Sequence, residues 1–499
     1  MTILDKETPT KKKKKKKQHY FFYKVLSFIL IILTVITCGT LIYQSLFNTY
    51  YTISICVVLS IVIIFLSIIL NKIKLRAWIK NIISFISIII IILELLFLIF
   101  GVSALKLLSN ITDTGYRVET YGVYVLKSSD YKEIEDLDKK NINSLSSTEN
   151  VYKEALKKLK KEISFHNEEY DTIDTLVTSL QNGKSDAVLY PISYDDVLRE
   201  EFNDLYNSIK CIYTIDIVEM VDTIESDRDI MKEPFAIYIS GIDTSGNVAS
   251  KARSDVNIII AVNPNTKEIV LVNTPRDYYV TLASKGKKDK LTHAGLYGVE
   301  ESLNTLANLY DIEISYYVRV NFTSFIKIVD ALGGIELDIP KGFCEQDSNR
   351  SKNEKDLICL KKGHQTLNGE EALAFARHRK TLPTGDRARG ENQMKVLEAI
   401  IDKALSPSII TKYNKLISSL EGRVTTNMTS GEMYKYAKKQ IEDGGGYKIT
   451  SISANGNDSR NVCYSTGSSK AYVMEPDEAS IEEIKTSLKH IFVSNKQVN

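Results

Sequence analysis

Three long apolar runs in the first 104 residues restrict what this chain can fold into. They cover roughly 21–47, 49–70 and 82–104. Each supplies the roughly 20 apolar residues needed to cross a hydrocarbon core of about 30 Å. Three in succession argue against buried core helices. The first is too long for a cleaved signal peptide, and no small-residue cleavage site followed by polar mature sequence lies after it.

Charge gives the orientation. The 499 residues carry a formal charge of +2, but it is divided unevenly. About +10 lies before residue 105 and about −8 after it. Lys11 to Lys17 are an unbroken run, and Lys72, Lys74, Arg76 and Lys80 lie between the second and third runs. The positive-inside rule puts the N-terminus and the 72–80 loop in the cytoplasm and everything after about 105 outside. The lysine run before the first span suits anionic lipid. With the basic excess beside the membrane, nucleic acid is not an expected partner. Trp78, the only Trp, falls at an interfacial position. Glu94 lies inside the third span, as a functional carboxylate or as a protonated helix contact.

The expected organisation is a cytoplasmic tail (1–20), three spans (21–104), a small accessory α/β domain (105–228) and a larger α/β domain (229–499, core 230–405). In the accessory domain, 121–126 alternates like a strand, 148–163 and 172–182 read as helices, and 182–190 as a turn into a strand. In the larger one, strands are expected at 235–242, 255–263, 268–274, 314–321, 335–339 and 447–454. Helices are expected at 296–309, 322–332, 369–378, 391–405, 409–420 and 430–442. Alternating α and β implies a layered α/β domain.

Four of the six cysteines fall in the disulfide-permissive outer part. Cys344 and Cys359 bracket a polar insert that a bridge would staple. Cys211 with Cys463 is the remaining pairing. Zinc is the weaker reading of these cysteines, because CxxC and HxxxH spacings are absent.

HExxH, GxxxxGK[ST] and GxSxG are also absent. Ser284–Lys287 is a stray SxxK. What remains is a set of Asp and Arg at strand ends and the turns after them. Asp243 follows the first strand of the larger domain, Asp255 opens the next, and Arg276 and Asp277 follow the third. Arg377 and Arg379 end a helix, with Asp386 and Arg389 beyond. Two carboxylates on adjacent strands suit Mg2+, a hard cation that keeps part of its shell for phosphate oxygens. Arginine forks suit phosphate. Together they fit transfer of a phosphoryl-type group.

At these residues the sequence resembles the LytR-CpsA-Psr (LCP) family of cell-wall ligases of Gram-positive bacteria, in its CpsA-like branch. The matching stretches are Gly-Ile-Asp-Thr-Ser-Gly (241–246), Arg-Ser-Asp-Val-Asn-Ile (253–258), Pro-Arg-Asp (275–277), Ala-Arg-His-Arg (376–379) and Gly-Asp-Arg-Ala-Arg-Gly-Glu-Asn-Gln (385–393). His-Ala-Gly (293–295), 330–340 and 363–377 match as well. The resemblance implies an LCP-type α/β sandwich with a hydrophobic pocket for a polyprenyl chain. It implies an Mg2+-dependent phosphotransferase that moves a glycopolymer (capsular polysaccharide, teichoic acid or similar) from a polyprenyl-pyrophosphate carrier to peptidoglycan through a phosphodiester. It assigns Mg2+ to Asp243 and Asp255, and pyrophosphate to Arg276, Arg377, Arg379 and Arg389. Asp386 would orient an Arg or assist deprotonation of the acceptor hydroxyl. Apolar residues of 314–320 and 322–332 are candidates for lipid contact or for ordinary core. His378 stands between two of these arginines without an assigned role. The competing expectation is a membrane-anchored protein that binds the lipid-linked polysaccharide and regulates its synthesis without catalysis.

Overall fold

The computed structural model describes residues 9–493 except 45–48, 110–115, 148, 221–227, 243–247, 249, 352, 380–385, 407–415, 417–423, 430–431, 434–435, 437–438, 441–442, 445 and 468. The chain divides into two compact units, Met1–Leu107 and Leu108–Asn499.

The first unit is three helices, α1 (Pro9–Gln44), α2 (Thr49–Asn71) and α3 (Ala77–Ser109). Their stretches Phe21–Ile42, Thr52–Asn71 and Ala77–Ile99 are long and apolar enough to cross a membrane. Most of the large apolar side chains along them face outward, which suits lipid as the solvent. Glu94 is buried and accepts a hydrogen bond from Thr34 Oγ1 at 2.8 Å, so it bridges α3 to α1.

Two six-stranded sheets organise the second unit, with smaller two-stranded pairs such as β10 (Tyr279–Thr281) with β11 (Lys288–Lys290) and short helices such as α7 (Asn203–Ser208) and α8 (Leu291–Ala294) outside them. The first comprises β1 (Tyr116–Leu126), β2 (Lys140–Leu145), β3 (Phe165–His166), β4 (Glu169–Tyr170), β5 (Ala187–Pro191) and β6 (Ile209–Met220), in the order β3-β2-β5-β1-β6 with β4 also on β2. Side chains alternate across it, as the period of two requires. Ala187 and Leu189 join a core under α4 (Asn150–Glu162). Val188 and Tyr190 join another under α5 (Ile173–Gln181) and α6 (Asp195–Glu201).

The second sheet comprises β7 (Phe235–Ile242), β8 (Val256–Asn263), β9 (Glu268–Asn273), β12 (Tyr316–Asn321), β17 (Val424–Thr426) and β18 (Lys448–Ser453), in the order β17-β12-β7-β8-β9-β18. β7, β8 and β9 are antiparallel neighbours; β12 runs parallel to β7 and β18 to β9. Central β8 is apolar on both faces. Ile259 and Ala261 meet α9 (Val299–Tyr310) and the C-terminal helix α13 (Glu478–Val493), whereas Ile258, Ile260 and Val262 meet Met394 of α12 (Asp386–Leu405). The result is helix–sheet–helix layering, a mixed α/β sandwich.

A further apolar cluster gathers α10 (Phe322–Leu332), β13 (Ile335–Ile339), β14 (Phe343–Glu345), β15 (Ile358–Leu360), β16 (Gly363–Leu367) and α11 (Gly369–Arg377). The αL residue Gly333, at φ 80°, stops α10. Asn368 and Glu371 form a capping box that starts α11. Ile314, Tyr316, Tyr317 and Val329, candidates for lipid contact, belong to these cores, and Leu332 is buried as well.

Several boundaries shift from the sequence reading. The helix expected at 296–309 is a short turn, Gly295–Tyr297, followed by α9. α12 begins earlier, at Asp386, and the helices expected at 409–420 and 430–442 fall largely outside the described residues. The hairpin β19 (Gly456–Val462) with β20 (Lys470–Pro476), and α13, were not anticipated. Cys344 and Cys359 face each other across β14–β15 and are bonded. The pairing of Cys211 with Cys463 is not made. Cys211 is exposed on β6, while Cys463 is buried against Ala471 and Val473.

The two sheets are held together by charged pairs. Arg117 of β1 pairs with Glu300, and Lys251 with Glu119 and Glu149. Leu296 packs into the first sheet's core.

Candidate active site

Antiparallel pairing brings the end of β7, the start of β8 and the end of β9 to one rim of the second sheet. Gly241 pairs with Val256, and Ile258 with Asn273. Asp255, just before β8, and Arg276, three residues after β9, therefore lie side by side. Arg276 Nη1 donates to Asp255 Oδ1 at 3.1 Å, and Thr292 Oγ1 donates to the same oxygen at 3.2 Å. Arg276 Nε also faces Asp277, at 3.5 Å.

The segment 251–255 that presents Asp255 is fixed from below. Ser254 Oγ lies 2.8 Å from Ser240 Oγ and 3.0 Å from the Tyr238 hydroxyl, and Asn257 Nδ2 donates to Ser254 O. Arg319, fully buried on β12, donates to Ala252 O. Burial pulls its pKa down to about 10. From above, a side chain at Gly295 would collide with Ala252 O and Ser254 N, so only glycine lets that turn close on the segment. His293 and Asp289 beside it are buried, with Nδ1 and Oδ1 2.8 Å apart, and Ser465 Oγ lies 2.7 Å from the same nitrogen. Because both partners share Nδ1, the trio is a clamp and not a nucleophilic triad, whose serine and aspartate take opposite nitrogens.

Burial alone would raise the pKa of Asp255. The nearby guanidiniums of Arg276, Arg253 and Arg389 outweigh that and hold it at about 2. Asp255 is thus ionised throughout the neutral range. Arg253 is in a recognised stretch, but sequence reasoning gave it no role. It pairs with Glu200 of α6, which also accepts from Arg276 Nη2 at 2.5 Å. Against the effect of burial, Arg276 and Arg253 hold Glu200 at about 2.

The other expected site residues spread outward. Arg389 lies half-buried on α12, one residue from Gly390, whose missing side chain makes room for Asn273 at the end of β9. Arg377 closes α11, stacks over Phe322 at 4.9 Å and donates to Asp347 O. Arg379 is exposed two residues further on. His378 is buried, stacks on Phe343 at 3.8 Å and lies 3.1 Å from Glu345 Oε2, so it anchors the segment between the two arginines. Asp386 opens the helix that carries Arg389. Asp243 lies outside the described residues.

The donor chemistry fits Mg2+. Asp255 is an ionised, partly exposed oxygen donor on a rigid rim, and hard cations of this kind are held by one or two carboxylates plus water and phosphate oxygens. Among the described residues no three His, Cys, Asp or Glu side chains gather into a protein-only cage.

The LytR_cpsA_psr family model matches residues 211–490. The teichoic acid transferase TagU of Bacillus licheniformis, named a polyisoprenyl-teichoic acid–peptidoglycan transferase, is 34% identical over 268 residues, 52% of this chain and 78% of the relative. TagV of Bacillus subtilis, named likewise, is 35% identical over 264 residues, 52% of this chain and 65% of its own length. The crystal structure of B. subtilis TagV aligns over 52% of this chain and 98% of its own, with a TM-score of 0.45 and 34% identity.

Proposed function

Since the chain belongs to the LytR_cpsA_psr family, we propose that it is a membrane-anchored phosphotransferase that moves a glycopolymer from a polyprenyl-pyrophosphate carrier to peptidoglycan. Its relatives carry transferase names for teichoic acid and peptidoglycan. The observation that carries the reading is the rim cluster, where Arg276 is gripped by an ionised Asp255 beside Arg253 and Arg389.

In this reading the acceptor sugar hydroxyl attacks the phosphorus that carries the glycan. A new O–P bond forms, the bridging P–O bond breaks, and polyprenyl phosphate leaves. Arg276 donates to phosphate oxygens and stabilises charge that builds on the leaving phosphate, and the family resemblance gives Arg377, Arg379 and Arg389 the same task. Asp255 holds the Arg276 fork in plane. Asp386 takes the hydroxyl proton or orients an arginine. Mg2+ at Asp255, with Asp243 as second ligand, would neutralise charge on the diphosphate. The three apolar helices would tether the second unit at the outer leaflet, between carrier and wall.

The test uses the full-length protein in detergent micelles with a polyprenyl-pyrophosphate oligosaccharide, uncrosslinked peptidoglycan fragments and MgCl2. Mass spectrometry should find the phosphodiester-linked product. Arg276→Ala should lower its rate by about 100-fold or more, as removal of one preorganised donor does, and EDTA should abolish it. Unchanged product from Arg276→Ala would refute the site. Binding of the lipid by wild type without product would favour the regulatory reading.

A further inference from the structure

α6 carries acidic side chains from the first sheet to the arginines of the second. Its first residue, Asp195, accepts from Tyr124 at 2.7 Å and from Tyr190 at 3.1 Å. Val197 and Leu198 are fully buried, so the helix is pinned along its inner face. Asp196 and Glu200, four residues apart, share the opposite face. One Glu200 oxygen takes Arg276 Nη2 and the other takes Arg253 Nη1. Asp196 adds a looser contact to Arg253, at 3.9 Å.

A carboxylate held between two guanidinium forks occupies the positions that phosphate oxygens would take. We propose that Glu200 is a built-in competitor for the carrier pyrophosphate, seated on Arg253 and Arg276 until the donor displaces it. The proposal rests on the reading of Arg276 as a pyrophosphate ligand. Asp255 and Glu200 both meet Arg276, but they differ in how they are held. Asp255 is fixed at the start of a strand by backbone and Thr292 contacts. Glu200 is in the last turn of a seven-residue helix, with a third of its side chain in solvent. Rotation of that side chain releases one contact on each arginine, with no movement between the sheets. Swinging Glu200 out removes one negative charge from a rim where Asp255, Asp277 and Asp196 also face the two arginines, and so favours a diphosphate. An internal competitor seated about 90% of the time weakens apparent affinity about tenfold.

Farnesyl pyrophosphate with MgCl2, titrated calorimetrically into the full-length protein in micelles, tests this. Glu200→Gln keeps size and removes charge, and should bind about tenfold more tightly than wild type. Glu200→Asp, shorter by one methylene, should give a smaller gain in the same direction. Thermal unfolding would check that each variant is folded. Equal or weaker binding by folded Glu200→Gln overturns the proposal. If it does so while Arg276→Ala abolishes binding, the pyrophosphate site stands and only the competitor falls. If neither wild type nor Glu200→Gln binds, the site reading falls and takes the competitor with it.

Discussion

Asp195 and Asp255 lie beside the two six-stranded sheets of the second unit, and their surroundings shift them in opposite directions. Asp195 sits in the first sheet's core, where burial raises its pKa despite hydroxyl donors from Tyr124 and Tyr190. Those two rings stack 4.2 Å apart, so packing sets the geometry. Asp255 sits at the second sheet's rim, where three guanidiniums more than offset burial. Neutral donors make a carboxylate a structural peg. Cations make it an ionised group that can align an arginine and receive a metal. The first sheet uses its polar residues to fix a helix; the second uses them to concentrate charge where a ligand can reach it.

The larger expected effect is on the Asp255 side. Its folded pKa lies below the ordinary aspartate value of 3.8. The stability it contributes is complete above that value and is lost as pH falls through about 2. The depression corresponds to about 2 kcal/mol. Thermal unfolding of the full chain between pH 5 and pH 2 should show a shallower acid loss in Asp255→Asn than in wild type. Equal slopes would mean that the arginines do not act on this carboxylate.

The smaller effect is on the Asp195 side. Tyr124→Phe removes one hydrogen bond and should cost about 1 kcal/mol at neutral pH. It should leave the Asp255-dependent acid loss unchanged and loosen α6. Hydrogen exchange at residues 195–201 would register the loosening, and unchanged protection would show that apolar packing alone holds that helix.

Much of the second sheet was legible in the sequence, because β7, β8 and β9 are apolar runs bounded by polar turns. The Cys344–Cys359 bridge was legible from the insert it closes. Other features were hidden for physical reasons. Arg319 falls in the strand expected at 314–321, and only the tertiary fold places it beneath the 251–255 segment. Glu200 stands 76 residues from Arg276 in another subdomain, on a helix too short to show a pattern. Cys211 and Cys463 made a pair only by elimination, and the fold separates them into an exposed strand and a buried cluster. β19 is polar enough that its alternation is weak, which hides the hairpin it makes with β20.

The most direct measurement is an experimental structure of the full chain with a polyprenyl-pyrophosphate oligosaccharide and Mg2+ bound. The expected result is diphosphate density on Arg276 and Arg253, metal density at Asp255, and Glu200 turned away from both arginines. Diphosphate bound elsewhere, with the Arg276–Glu200 pair intact, would contradict the rim as the site of transfer.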